Sequence, residues 1–194
     1  RVLDAAGDKS AEIWNLKGLL FMEEDNQVEA LRAFKKAVEI RADYADAHMN
    51  IAMISIRFRD YAGAEESLSV ALKDKRQRKN VETRIAMGVA KRGLKKFKEA
   101  ETEFQSAKKM SASDPRPDYN LGILYQEHMA TQEDLDVEGI KTHYKTAKDY
   151  YSKFLQKAGS QKELATYITD AKSRVDNIDE SFRVFAEMAE LQKK

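Results

Sequence analysis

The sequence Trp14-Asn15-Leu16-Lys17-Gly18, followed by Phe21 and then by Ala30, Phe34 and Ala37, decides the fold of this chain. Apolar and small residues recur here every three or four positions, which predicts α-helix rather than β-strand. The glycine and the alanines are small enough to let two antiparallel helices approach closely, and the large side chains fill the space beside them. The stretch therefore predicts one pair of packed helices.

This pattern returns in step along the chain. Small residues recur at Gly18, Ala52, Gly88 and Gly122, at intervals of 34, 36 and 34 residues. In each of the first three repeats a second small residue, a large apolar residue and an alanine follow at constant spacing; in the second and third repeats these are Ala64, Leu68, Ala71, Ala100, Phe104 and Ala107. A period of this length is typical of stacked helix pairs, in which each pair buries its apolar face against its neighbours.

The recurring positions resemble the tetratricopeptide repeat (TPR) family over roughly residues 11–125. The resemblance implies an all-α fold, namely a right-handed superhelical solenoid of antiparallel helix pairs. His48 and Ser55 depart from it, because the family usually has aromatic residues there. The proline that usually stands near the end of each repeat is also replaced, by Ala42, Arg76 and Ala112.

We predict six segments along the chain. Residues 1–10 are the tail of a preceding helix or repeat, because Gly7 stands just past an apolar run, and the N-terminus is therefore predicted to be truncated. Three regular repeats occupy residues 11–44, 45–80 and 81–114. A degenerate fourth repeat with an extended second helix spans residues 115–158, and a C-terminal capping helix spans residues 160–194.

Two long apolar stripes follow the regular repeats. The first predicts a helix of about 22 residues, or roughly 33 Å, and consists of Val137, Ile140, Tyr144, Ala147, Tyr151, Phe154 and Ala158. The second has the spacing of a heptad seam and consists of Ile168, Ala171, Val175, Ile178, Phe182, Phe185 and Ala189. It either covers the last repeat, as solenoids require, or pairs with another chain. Tyr167, Val184 and Met188 widen the stripe, which favours the cap.

In the TPR family the first helix of each repeat lines a concave groove. By resemblance, the groove residues are Asn15, Leu19, Met22, Met49, Met53, Ile56, Ile85, Val89, Tyr119 and Ile123. An apolar centre with charges at its rim is typical of a partner-binding surface. Flexible methionines suit a protein or peptide partner, either an apolar helix or an extended segment. Alternatively, these side chains pack against neighbouring helices, or a segment of the chain itself occupies the groove.

Some members of the family bind the C-terminal carboxylate of a partner through lysine, asparagine and arginine side chains. Asn50 stands at one of these positions, whereas Leu19, Glu82 and Ala86 occupy others. We therefore do not expect the recognition of chaperone tails that this clamp provides.

Charge and cysteine content narrow the functional classes. The chain carries a formal net charge of +1. It contains no cysteine, and this excludes disulfides, thiolate catalysis and cysteine-based zinc sites. Basic residues cluster at 73–79 and 91–98. Solvated turns or an acidic partner surface explain these clusters better than nucleic acid, because aromatic residues that could stack on bases are not interleaved with them.

We expect no metal site and no cofactor. The segment Asp134–Gly139 resembles the start of a calcium loop, but its twelfth position is Lys145, where a bidentate carboxylate is needed. The three histidines have no cysteine or carboxylate partners at metal-ligand spacing. The sequence also contains no nucleophile elbow, P-loop or dinucleotide-binding motif.

The sequence therefore predicts a non-enzymatic scaffold that binds a protein segment in an apolar groove, as part of a larger complex. One alternative is a targeting or regulatory domain of an enzyme whose catalytic part lies outside this chain. Another is a structural protein that self-associates through the C-terminal helix. No apolar stretch approaches the roughly 20 residues of a membrane span, and the compartment stays open between cytoplasm and periplasm.

Overall fold

The computed structural model describes residues 9–191. The predicted helix tail at residues 1–10 therefore lies outside the described residues, apart from Lys9 and Ser10. Every regular element within the described range is helical. The α-helices are α1 (Ala11–Glu23), α2 (Gln27–Ile40), α3 (Ala45–Arg57), α4 (Tyr61–Ala71), α5 (Lys75–Arg78), α6 (Val81–Gly93), α7 (Phe97–Met110), α8 (Arg116–Leu124), α9 (Val137–Ala158) and α10 (Ala165–Leu191).

Short polar side chains mark the starts of these helices. The side chains of Ser10, Asn26, Asp60, Asn80 and Asp136 each accept a hydrogen bond from a backbone N–H two or three residues further on. Such caps satisfy N–H groups that have no partner inside the helix. The sequence thus defines helix starts locally, before any packing between helices is considered.

The turns inside the first three helix pairs share one backbone geometry. Asp25, Arg59 and Lys95 have φ values of 54°, 60° and 60°. In each turn this residue donates its N–H to the carbonyl three residues back, and the next residue donates to the carbonyl five residues back. The three residues lie 34 and 36 positions apart, which are the intervals of Gly18, Ala52 and Gly88. The repeat seen in side chains is therefore also a repeat of the backbone.

We expect glycine at one of these turns to stabilise the protein. Arg59 has a φ of 60°, a left-handed conformation that costs energy for any residue with a Cβ. Arg59→Gly should raise the free energy of unfolding by about 0.5–1 kcal/mol. Urea denaturation followed by fluorescence of Trp14, the single tryptophan, measures this change. Glu66→Gly, at an exposed position of α4, is the control and should instead lower stability by about 1 kcal/mol; equal signs for both variants would contradict the prediction.

The chain forms two compact units, Arg1–Lys96 and Phe97–Lys194. This boundary falls inside the predicted third repeat (81–114), so α6 belongs to the first unit and α7 to the second. In the first unit, helices α1 to α6 pack through small residues against large ones. One cluster contains Ala30, Phe34, Ile51 and Ile54, and another contains Met49, Ala52, Ala64, Leu68, Ala86, Met87 and Ala90.

The second unit is built around α9 and α10. Helix α9 spans the 22 residues Val137–Ala158, as its apolar stripe predicts. Ala171 and Ile178 of α10 are fully buried, and Ile168, Val175 and Phe182 pack partly buried against the same core, which contains Ala147, Tyr151, Phe154 and Ala158. The stripe of α10 thus packs inside its own unit. Tyr167, Val184 and Met188 remain exposed.

The helix pair α8–α9 departs from the earlier turn. Helix α8 runs into a π-helical turn, Tyr125–Met129, and α9 begins only at Val137. A π-turn adds a residue to the helical repeat and so changes the direction of the side chains that follow. The C-terminal helix also starts later than the predicted residue 160, since a 3-10 turn at Lys162–Leu164 precedes α10.

Candidate functional site

Helices α1, α3 and α6 of the first unit carry eight of the ten predicted groove residues. Each of these helices opens one of the regular pairs. The side-chain amide of Asn50 on α3 donates a hydrogen bond of 3.1 Å to Oδ1 of Asn15 on α1. Met53 of α3 packs against the cluster that contains Met87 of α6. The hydrogen bond thus joins α1 to α3, and the cluster joins α3 to α6.

Burial divides these eight residues into two layers. Asn15 and Met49 are each only 8% exposed and belong to the interior. Leu19 is 41% exposed. The partly buried residues are Met22, Met53, Ile56, Ile85 and Val89. Together with Leu19 they are the six predicted groove residues that keep accessible apolar side chains, and we call these six residues the groove surface.

Two acids on the helices that carry the groove surface, Glu12 and Asp46, are hydrogen-bonded within the chain. Oε1 of Glu12 accepts a hydrogen bond of 2.6 Å from Arg41. Hydrogen bonds from its own backbone N–H and from Ser10 hold the pKa of Glu12 below its ordinary value. Oδ1 of Asp46 accepts a hydrogen bond of 2.9 Å from the Gln77 amide. These two acids are therefore already engaged, whereas the six accessible side chains of the groove surface are apolar.

The other two predicted groove residues, Tyr119 and Ile123, lie in the second unit and pack against α10. The Tyr119 hydroxyl donates a hydrogen bond of 2.7 Å to Asp170, and its ring lies 5.2 Å from that of Tyr167. Burial, followed by the bond to Asp170, raises the pKa of Tyr119. Ile123 is 8% exposed. In this unit the C-terminal helix itself covers the predicted face.

An arginine of α10 holds this cover on the π-turn. Arg174 Nη1 donates hydrogen bonds to Glu127 at 2.7 Å and to Gln126 at 3.2 Å, while its Nε donates to Asp170. The buried Tyr151 hydroxyl also donates to Gln126, at 2.9 Å. The sequence alone does not predict this network, because nothing in the local pattern signals a π-turn.

A second concave feature lies between α1 and α2. This cleft has a volume of about 440 Å³, an aromatic floor of Trp14 and Phe21, and a charged rim. Lys17 lies over the Trp14 ring at 4.9 Å. No groove residue lines this cleft, and the sequence pattern predicts its aromatic residues only as helix-packing positions.

Metal ligands and membrane-spanning segments can be assessed for the described residues. Among residues 9–191, no group of three or more histidine, aspartate and glutamate side chains is placed to hold a metal ion. Over the same range, none of the helices combines the length and the hydrophobicity needed to cross a bilayer.

Sequence comparison finds no matching family profile and no matching curated protein, whereas comparison of structures finds several similar folds. The TPR domain of Arabidopsis OM64 is 20% identical, with a TM-score of 0.54 over 59% of this chain and 93% of that chain. The first TPR of Spaghetti, bound to an HSP90 peptide, is 18% identical, with a TM-score of 0.56 over 61% of this chain and 93% of that one. The chain has the tetratricopeptide repeat fold. MamA 41-end from Desulfovibrio magneticus RS-1 shares this fold over more of the chain, at 15% identity and a TM-score of 0.65 over 80% of this chain and 79% of that chain.

The TPR fold confirms the all-α solenoid class that the sequence predicts. Within it, the residues at the carboxylate-clamp positions are unsuited to an anion. Asn50 donates its amide to Asn15, Ala86 is buried, and Leu19 and Glu82 stand at the other two positions. None of these side chains supplies a cation to a terminal carboxylate.

Proposed function

We propose that this chain is a protein-interaction scaffold that holds an apolar segment of a partner on the groove surface of its first unit. The observation that supports the proposal is that six predicted groove residues on α1, α3 and α6 keep accessible apolar side chains. Such a surface bordered by polar groups is typical of a binding site. The scaffold role agrees with the solved TPR of Spaghetti, which is described as bound to an HSP90 peptide.

The partner segment is apolar rather than acidic. Methionine side chains adapt to different shapes because they are unbranched and polarizable, and Met22 and Met53 supply two of the six accessible groups. An amphipathic helix or an extended strand with regularly spaced apolar residues fits such a surface. The clamp positions offer no counter-charge, so a chaperone-type tail is a poor ligand.

Leu19→Glu combined with Met53→Glu tests the groove. Two carboxylates on an apolar contact surface should reduce capture of the partner at least 10-fold, because a charge buried at an interface without a counter-charge costs several kcal/mol. Quantitative pull-down from a native extract, with mass spectrometry of the retained proteins, measures this loss. Met49 is unsuitable for the test because it is buried.

Leu20→Glu is the matched control, since Leu20 is 47% exposed on the same helix but is not a groove residue. Proteins retained by the original chain and by Leu20→Glu, but lost with the double variant, are the expected result. Circular dichroism verifies that all three proteins are folded. If folded proteins retain the same set in equal amounts, the groove is not the binding surface.

The structure gives less support to self-assembly through the C-terminal helix. That role would need the apolar stripe of α10, yet Ala171 and Ile178 are buried in their own unit and Phe182 packs against the same core. We therefore place the interaction surface on the first unit.

A further inference from the structure

The connection between α4 and α6 is longer and more basic than its counterpart in the first repeat. Residues 72–80 separate α4 from α6, whereas only residues 41–44 separate α2 from α3. The longer connection contains the short helix α5 and five cations within seven positions. We call these five residues the basic knob: Lys73, Lys75, Arg76, Arg78 and Lys79.

A buried amide holds the basic knob in one conformation. Gln77 is the buried residue of α5. Its Nε2 donates a hydrogen bond of 2.9 Å to Asp46 on α3, and its Oε1 accepts one of 2.6 Å from the buried hydroxyl of Thr83 on α6. These two hydrogen bonds attach α5 to α3 and α6. A buried amide whose donor and acceptor both have partners disfavours other arrangements of the segment.

A capping carboxylate adds to this order. Oδ1 of Asp74 accepts hydrogen bonds from the backbone N–H groups of Arg76 at 2.8 Å and of Gln77 at 3.2 Å. These two bonds are the main reason that the pKa of Asp74 lies below its ordinary value. The connection is therefore an ordered structure rather than a loosely solvated loop.

The cations of the basic knob are concentrated and accessible. All five are exposed. Arg76 lies 3.4 Å from Asp74 and 3.5 Å from Asp46, while the other four form no ion pair within the described part of the chain. Like charges held this close repel one another. An ordered cluster that retains this repulsion is suited to a ligand of opposite charge.

We propose that the basic knob is a docking surface for a short acidic segment of a partner protein. Stacking on nucleic acid bases needs aromatic side chains, and residues 72–80 include none. A long polyanion would gain little beyond the knob, because the second basic cluster, at residues 91–98, lies at the opposite end of α6. A run of a few carboxylates matches the size of the knob. This site is independent of the groove surface and of the function proposed for it.

Binding of a fluorescein-labelled peptide of eight glutamates, measured by anisotropy at 50 and 300 mM salt, tests the proposal. The original chain should bind the peptide at low salt and bind it more weakly at high salt, because the Debye length shortens from roughly 14 Å to 6 Å. Lys75→Glu/Arg78→Glu/Lys79→Glu should weaken binding at least 10-fold. The matched control, Arg32→Glu/Lys35→Glu/Lys36→Glu, reverses three exposed cations of α2 and should change binding less than 3-fold.

A further variant separates an ordered surface from simple net charge. Gln77→Ala keeps every charge but removes the hydrogen bonds to Asp46 and Thr83, and should weaken peptide binding about 3-fold or more. Hydrogen exchange of residues 72–80 should become faster in the same variant. The proposal is overturned if the two triple variants lose binding equally, if the original chain does not bind the peptide, or if a 20-base-pair DNA binds more tightly than the peptide and depends on the same cations.

Discussion

Asp118→Ala is expected to lower the free energy of unfolding of the second unit by about 3–5 kcal/mol. Asp118 on α8 is completely buried. Its Oδ1 accepts a hydrogen bond of 2.7 Å from Lys108 on α7, and its Oδ2 accepts one from Lys157 on α9. One carboxylate therefore connects three helices of this unit through two ammonium groups.

The loss is large because of what remains after the substitution. The side chains of Lys108 and Lys157 are only 28% and 24% exposed, so two like charges would stay close together and poorly hydrated. Removing one partner of a buried ion pair costs far more than replacing the whole group by apolar side chains. Urea denaturation, with hydrogen exchange resolved for residues 97–191, measures the effect on this unit.

The control replaces the entire group. Asp118→Ala/Lys108→Met/Lys157→Met removes the cations together with the carboxylate, and should recover at least half of the lost stability. A single-variant loss below about 1 kcal/mol would mean that water screens the three charges. The recovery by the triple variant would then also be absent.

Gly18→Ala is expected to destabilise the first unit by about 1–3 kcal/mol. A Cβ at this position would lie 2.4 Å from Cε1 of Phe34. The Phe34 ring is fully buried, so it has little room to move. The usual advantage of alanine over glycine inside a helix, about 1 kcal/mol, is therefore outweighed by the clash.

The chain contains its own control for this prediction. In the second repeat the equivalent pair is Ala52 and Leu68, and both side chains are buried in one cluster. In a Phe34→Leu background, Gly18→Ala should therefore be neutral or stabilising, although Phe34→Leu alone weakens the core. Urea unfolding, followed by Trp14 fluorescence, measures the free energy of unfolding of the original chain, the two single variants and the double variant. An equal cost of Gly18→Ala in both backgrounds would show that the ring is not the cause.

Several features could be predicted because they are encoded by neighbours along the chain. The interval of 34 and 36 residues places both the small residues and the left-handed turns at Asp25, Arg59 and Lys95. Helix α9 was predicted from one stripe of apolar residues, since helical spacing is a local property. The groove positions on α1, α3 and α6 come instead from the resemblance to the TPR family.

Other features of the candidate site required the tertiary structure. The sequence treats Met49 and Met53 alike, yet Met49 is buried inside a cluster with residues of α4 and α6, whereas Met53 packs against that cluster only partly buried. Tyr119 satisfies the groove pattern but is covered by α10, whose Asp170 lies 51 positions away in the chain. Which member of a repeated position is exposed depends on the helix that packs there, and that helix is distant in sequence.

The repeated helix pairs were thus determined by the sequence alone. Gly18, Phe34 and their counterparts specify helix pairs of the TPR type through local spacing and side-chain size. Only the tertiary structure decided which surfaces stay open, where the chain divides into two units, and which charges are buried. Asp118 shows the reason. In the sequence it is one acid among 33, and its two lysines lie 10 and 39 residues away, so its role exists only once three helices have packed around it.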